Sequence, residues 1–159
     1  MAQSQNEERK QWYKAMRKFQ WGIIAGIQCA FPAKVIKYYK TTHTADIQPL
    51  ANSSSGEASA QYLDIPVSEN CYIQDEIIDR LKPELAKVDA HIGSNLTGRL
   101  PAKHLMRAGV PVVAVVLDRD NDNWEGGRAV NNYIPNSSRL HDANDAIIIG
   151  VLGGDAENG

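Results

Sequence analysis

The residues with the clearest chemical potential lie in LDRDNDNW, Leu117 to Trp124, where Asp118, Asp120 and Asp122 alternate as the first three ligands of a calcium loop do. Such a loop also needs Gly at its sixth place and a bidentate Glu at its twelfth. Counted from Asp118, those places hold Asn123 and Ala129. The segment therefore fails as that site, and the expectation is an acidic, solvated turn with no metal or other cofactor. Further on, His141, Asp142 and Asp145 follow Ser138, and an imidazole beside carboxylates and a hydroxyl can act as a general-base relay, with Asp118 as a further acid. No Gly-x-Ser-x-Gly elbow is present, and Ser137 and Ser138 lie in a polar stretch. The expected role of Arg139, His141 and Asp145 is thus to satisfy backbone groups and one another where a loop re-enters a strand, in a chain that is not an enzyme. His43, His91 and His104 lack the spacing that brings two imidazoles to one metal. No Gly-x-Gly-x-x-Gly or P-loop run cradles a phosphate. Cys29 and Cys71 have no second ligand at short spacing and read as free thiols packed like small apolar residues.

The elements that must position these residues are legible as patterns. From Asn6 to Gln20 strong helix formers carry Trp12, Met16, Phe19 and Ile23 at spacings of four, three and four, with Arg9, Lys10, Lys14, Arg17 and Lys18 on the other side. This predicts an amphipathic N-terminal helix within residues 1–22 that lies on its own barrel, a sister chain or another protein. Ile23 to Tyr39 is rich in β-branched and aromatic residues and reads as one long strand kinked at Pro32. Thr44 to Leu50 is a second strand, Asn52 to Ser59 a Ser/Gly loop, and Tyr62 to Val67 a third strand. Ile73, Ile77, Ile78, Leu81, Leu85 and Val88 then follow a helical period, with Pro83 as a kink or restart. Pro111 to Asp118 and Ala146 to Leu152 are the fourth and fifth strands, separated by a polar loop over 118–138.

Three strands, a helix, then two strands is the order of a five-stranded oligonucleotide/oligosaccharide-binding (OB) barrel, in which the helix plugs the barrel. The expected fold is mainly β: an OB-type barrel over 23–153 with a helical insert at about 72–104, preceded by the amphipathic helix and followed by a flexible tail at 154–159. Strands four and five are continuous apolar runs, whereas a barrel with a solvated wall should alternate. Something must cover Val113, Val115, Ile147, Ile148 and Ile149, and a second copy of the barrel would do so.

At 159 residues the chain suits a single core, and its 43% apolar and 23% charged content is ordinary for a globular protein. A formal net charge of −2 gives no overall basic excess for neutralising phosphates. Strands two and three offer no basic stacking platform either. Tyr38, Tyr39, Lys37 and Lys40 are the best remaining contacts for the alternative function, a single-stranded nucleic-acid-binding OB protein, so no nucleic acid is expected as ligand. The polar start lacks the layout of a signal peptide, which leads to the expectation of synthesis in the cytoplasm.

Four segments in order, Ala30 to Leu50, Leu63 to Val67, Gly109 to Trp124 and Ser138 to Gly153, resemble the N-terminal OB domain of phage tail baseplate central-spike, membrane-piercing proteins. That family has a strand ending in a VxPL-like turn, an xxVPV strand, a glycine before an apolar strand ending in DRD and Trp, and an R-x-H-x-x-x-D-A segment before the last strand. Asp118, Arg119, Asp120, Trp124, Arg139, His141 and Asp145 are the matching residues here. The resemblance implies a virion protein of the baseplate, made in the host cytoplasm: a homotrimer on the tail axis that docks to the tail hub protein and aids penetration of the host cell envelope. Trp12, Met16, Phe19 and Arg17 are then the hub-docking candidates. The stretch from Tyr72 to His104 is longer than the family's link at that point. Membrane-piercing members continue into an intertwined β-helix with a metal-binding His tip, and these residues hold no such segment. Either a separate spike-tip protein completes the point or the trimer is a blunt plug.

Overall fold

The computed structural model of the chain describes residues 2–125 and 130–153, with side chains from residue 6 onward. The expected tail at 154–159 and Ala129 of the acidic loop lie outside the described residues. Helix α1 spans Ala2–Ala25 and is followed by strands β1 (Ala30–Tyr39), β2 (Thr44–Pro49) and β3 (Tyr62–Pro66). Helix α2 (Ile73–Ile92) comes next, then β4 (Pro111–Val116) and β5 (Ala146–Val151). All sheet pairs are antiparallel in the order β3-β2-β1-β4-β5, and the sheet curls into a half-barrel. Its two edges meet where Val67 forms a parallel bridge with Ile148 and the Ser68 amide donates to the Ile148 carbonyl at 2.8 Å.

Alternation along the strands builds the core. Val112, Ala114 and Val116 of β4 point inward, between half-buried Pro111, Val113 and Val115, so the apolar run is a two-faced strand. Val112 and Ala114 join Ala33, Val35, Ala45, Ile47, Ile65, Val67, Ala146 and Ile148 in one cluster. Bulges set which side chains enter it. In β1 the register slips at Ile36, and so Tyr38 rather than Lys37 packs against the core. In β3 the extra residue lies next to Asp64, whose left-handed backbone (φ 53°) is held by its amide donating to the Asp46 carboxylate at 3.1 Å. In β5 the slip leaves Ile149 out on the surface.

Several expectations are corrected. The segment 23–39 is not one strand: Ile23 and Ile24 remain helical, and the strand begins only at Ala30. The pairing of β1 with β4 runs unbroken through Pro32. Pro32 sits just beyond the Ala33–Pro49 pair, its carbonyl accepts the Leu50 amide at 2.9 Å, and only the one bond that a proline cannot donate is missing. Ile148 is not a wall residue, because it is fully buried in the core. Cys29 is exposed rather than packed, whereas Cys71 is buried, and burial pushes its thiol pKa up. Helix α2 runs through Pro83 and does not plug the barrel. The plug is made at its foot by Cys71 and Tyr72 together with Met106, while Ile77, Leu81, Val88 and Ile92 stay exposed. The side of α2 nearest the core spends its first turn on Asp75, whose carboxylate accepts the Leu105 and Met106 amides at 2.8 and 2.9 Å. At the other end Asp89 gathers the Ser94 hydroxyl and the Leu96 and Thr97 amides, which hold its carboxyl well below the usual range.

Candidate functional site

The acidic loop after β4 and the short 3-10 turn Ala143–Asp145 before β5 meet at a guanidinium. Arg139 donates from Nε and Nη2 to the two carboxylate oxygens of Asp145 at 2.8 and 2.7 Å, a fork-to-fork pair. The same Nη2 lies 3.2 Å from Asp122 and 3.5 Å from Asp120. Asp145 and Asp120 are fully buried. Asp145 also accepts the Asn121 amide at 3.0 Å, and Asp120 accepts the Ser137 hydroxyl at 2.5 Å and the Asp122 amide at 3.0 Å. The Ser137 hydroxyl and then the Asp122 amide hold the Asp120 carboxyl below its ordinary pKa, while the surrounding carboxylates push the Arg139 guanidinium upward.

Three carboxylates, of Asp120, Asp122 and Asp145, thus converge as metal ligands would, within 4.8 Å of one another. The positive charge among them is supplied by Arg139. The arrangement is therefore an internal ion-pair knot that pins the long loop to the start of β5. Ser138 makes no contact with it, and the hydroxyl in reach is that of Ser137. His141 stands apart, 3.3 Å from Asp118 at an exposed edge, with a left-handed backbone (φ 51°). Arg119 also pairs with Asp118, at 3.3 Å. Of the family-motif residues, Asp120, Arg139 and Asp145 are brought together, Asp118, Arg119 and His141 form a surface group beside them, and Trp124 turns away to line a cleft.

That cleft has a volume of about 570 Å³. It is bounded by the β1–β2 turn (41–44), by β3 and its continuation (63–67), and by the loop between β4 and β5, through Asn121, Asp122, Trp124, Glu125 and Asn144. Its floor is ordered by His43, which stacks on Tyr72 with ring centroids 4.0 Å apart and accepts or donates at Nδ1 to the Tyr38 hydroxyl at 3.1 Å. His43 holds a left-handed backbone (φ 54°), as Asp64 does on the facing strand. Burial, the largest cause, pushes the Tyr38 phenol up to about 12, so it stays protonated at neutral pH. Sequence reading took 118–125 for a plain solvated turn. The signal that could have found the cleft was the turn-rich Thr41 to Thr44 facing a loop that contains a tryptophan.

The expected docking and stacking groups sort as follows. Trp12, Met16, Arg17 and Phe19 are exposed along with every other described side chain of α1, and Arg17 lies 5.7 Å above the Tyr13 ring. Tyr39 donates to Asp46 at 2.8 Å, Lys37 lies 4.4 Å over the Tyr39 ring, and Lys40 pairs with Asp79. Tyr38, Tyr39, Lys37 and Lys40 thus each have a partner within the chain. On the outer face of β1, β4 and β5, Pro32 pairs with Val113 and Val115 with Ile147, beside Ile149, which is 45% exposed.

In comparisons with known proteins, the chain matches no family model, and no curated protein matches it significantly.

Proposed function

We propose that the chain is an OB-type barrel acting as a structural component of a phage tail baseplate, the trimeric central spike or its base. Joining the sheet order at the Val67–Ile148 bridge gives the circuit β1-β2-β3-β5-β4-β1, closed by one parallel contact, which is how a five-stranded Greek-key barrel of this class is wound. α2 and the segment to His104 are then an elaboration between the third and fourth strands. The observation that carries the reading is the apolar outer face of β1, β4 and β5: Pro32, Val113, Val115, Ile147 and Ile149 form a contiguous wall on a strand pair that otherwise alternates. Such a wall is characteristic of surfaces that are covered. Closed rotational symmetry about an axis parallel to it lets three copies cover one another.

The role is mechanical. The buried Arg139–Asp145 knot fixes the loop at one end of the barrel, and the trimer transmits load with no bond-making step. α1, exposed along its described length, is the element left to dock the hub through Trp12, Met16 and Phe19, with Arg17 beside them. Cryo-electron tomography of purified virions carrying a tagged copy tests this: the tag should lie on the tail axis at the baseplate. A product absent from virions contradicts it.

A further inference from the structure

We infer that α1 binds the surface of an anionic lipid bilayer, with its apolar stripe at the acyl boundary and its cations among the headgroups. This goes beyond the role proposed above: a hub and a bilayer take the same stripe, so a helix held by one is not held by the other.

α1 has 24 residues and is about 36 Å long at 1.5 Å per residue. Every described side chain along it is exposed, so packing against its own chain does not hold it. Most helical stability in proteins comes from an amphipathic face that meets a partner. At 3.6 residues per turn, Trp12, Met16, Phe19 and Ile23 fall within roughly 60° of one another and make one stripe. Lys10, Lys14, Arg17 and Lys18 gather on the opposite side, roughly 140–240° round the helix from Trp12. With Arg9 they outweigh Glu7 and Glu8, so the helix is basic in a chain whose formal net charge is −2.

The combination selects the partner. A nucleic-acid duplex or an acidic peptide answers the cations and leaves the stripe in water. A bilayer answers both. Helices with Lys and Arg on one face and Trp and Phe on the other lie in the membrane interface, held by buried apolar area and by attraction to anionic lipid. Aromatic rings with a polar tip favour headgroup level. Tyr13 lies at the margin of the stripe with Arg17 5.7 Å above its ring, and Trp21 lies among the cations. α1 is not long and apolar enough to cross a membrane, and so the bound helix lies along the surface.

The test needs neither the hub nor the trimer. The full-length chain is sedimented with vesicles of phosphatidylglycerol and phosphatidylcholine in equal parts, and with vesicles of phosphatidylcholine alone. It should bind the first at least about tenfold more tightly than the second, and added salt should weaken that binding. Phe19→Asp tests the stripe and the double change Lys14→Glu, Lys18→Glu tests the cations. All three residues are exposed, circular dichroism checks that both variants fold, and each should lose about tenfold or more in affinity for the anionic vesicles. A DNA duplex and polyglutamate are added as competitors and should not strip the chain from the vesicles. The inference is overturned if the anionic vesicles do not bind, if both vesicle types bind alike, if either folded variant keeps the wild-type affinity, or if either polyanion displaces the lipid at equal charge.

Discussion

Replacing Arg139 by Leu should destabilise the chain strongly. The guanidinium makes two bonds of 2.8 and 2.7 Å to Asp145, which is fully buried, and also faces fully buried Asp120. Removing one partner of a buried pair leaves an uncompensated charge, which costs about 3–5 kcal/mol. Two features move the figure to the lower end: the Arg139 side chain is 29% exposed, and Asp145 keeps the Asn121 amide at 3.0 Å. The expected loss is therefore about 3 kcal/mol, or a fall in Tm of about 6–12 °C for a chain of this size. Urea unfolding should show a lower midpoint with an unchanged slope, since the surface exposed on unfolding is the same. Arg139→Lys keeps the charge but not the planar fork, and should fall between the two. A loss under about 1 kcal/mol would mean that the pair is solvated like an ordinary surface bridge, and the reasoning would be wrong.

Four further outcomes are expected. Ile148→Ala should cost about 2–5 kcal/mol, whereas Ile149→Ala, one residue on but outside the barrel, should change the stability of the isolated protomer by no more than about 0.5 kcal/mol; chemical denaturation of dilute protein separates them. Because the folded pKa of Asp120 is depressed, its ionised form stabilises the chain above about pH 4, and that stabilisation is lost as pH falls through the lower folded value. The stability gap between wild type and Asp120→Asn should therefore shrink on acidification, and a constant gap would contradict it. In native protein a thiol reagent should label exposed Cys29 and spare buried Cys71, with both labelled after unfolding. Asp75→Ala should deprotect the Leu105 and Met106 amides in hydrogen exchange while the β1 and β4 amides stay protected.

The strands were legible because alternation and β-branched composition report directly on a two-faced sheet. β2, β3, β4 and β5 fall within a residue or two of where Thr44 to Leu50, Tyr62 to Val67, Pro111 to Asp118 and Ala146 to Leu152 place them. The junction at Ile23 was misplaced because β-branched residues lower helix propensity only slightly, and a helix already running past Phe19 carries them at little cost. Ile148 was assigned to the wall because Ile147, Ile148 and Ile149 are indistinguishable by composition. Only the pairing of Ile148 with Ala114 and the bulge after it sort one inward and one outward. The Arg139 knot was half legible: Arg139 and Asp145, six residues apart, were expected to pair, but bringing Asp120 and Asp122 to the same guanidinium depends on a long loop closing, which no local pattern encodes. Of the cleft, only the turn-rich Thr41 to Thr44 left a trace in the sequence. Its walls come from three separate connections, and the left-handed turns at His43 and Asp64 that shape it occur at residues with no glycine to announce them.

The central claim is that the outer face of β1, β4 and β5 is an interface between copies of this chain, and native mass spectrometry of the full-length protein at micromolar concentration tests it most directly. The account predicts the mass of three chains for the wild type, and for Ile149→Asp the mass of one chain with an unchanged circular dichroism spectrum. A wild type that flies as a single folded chain would contradict it.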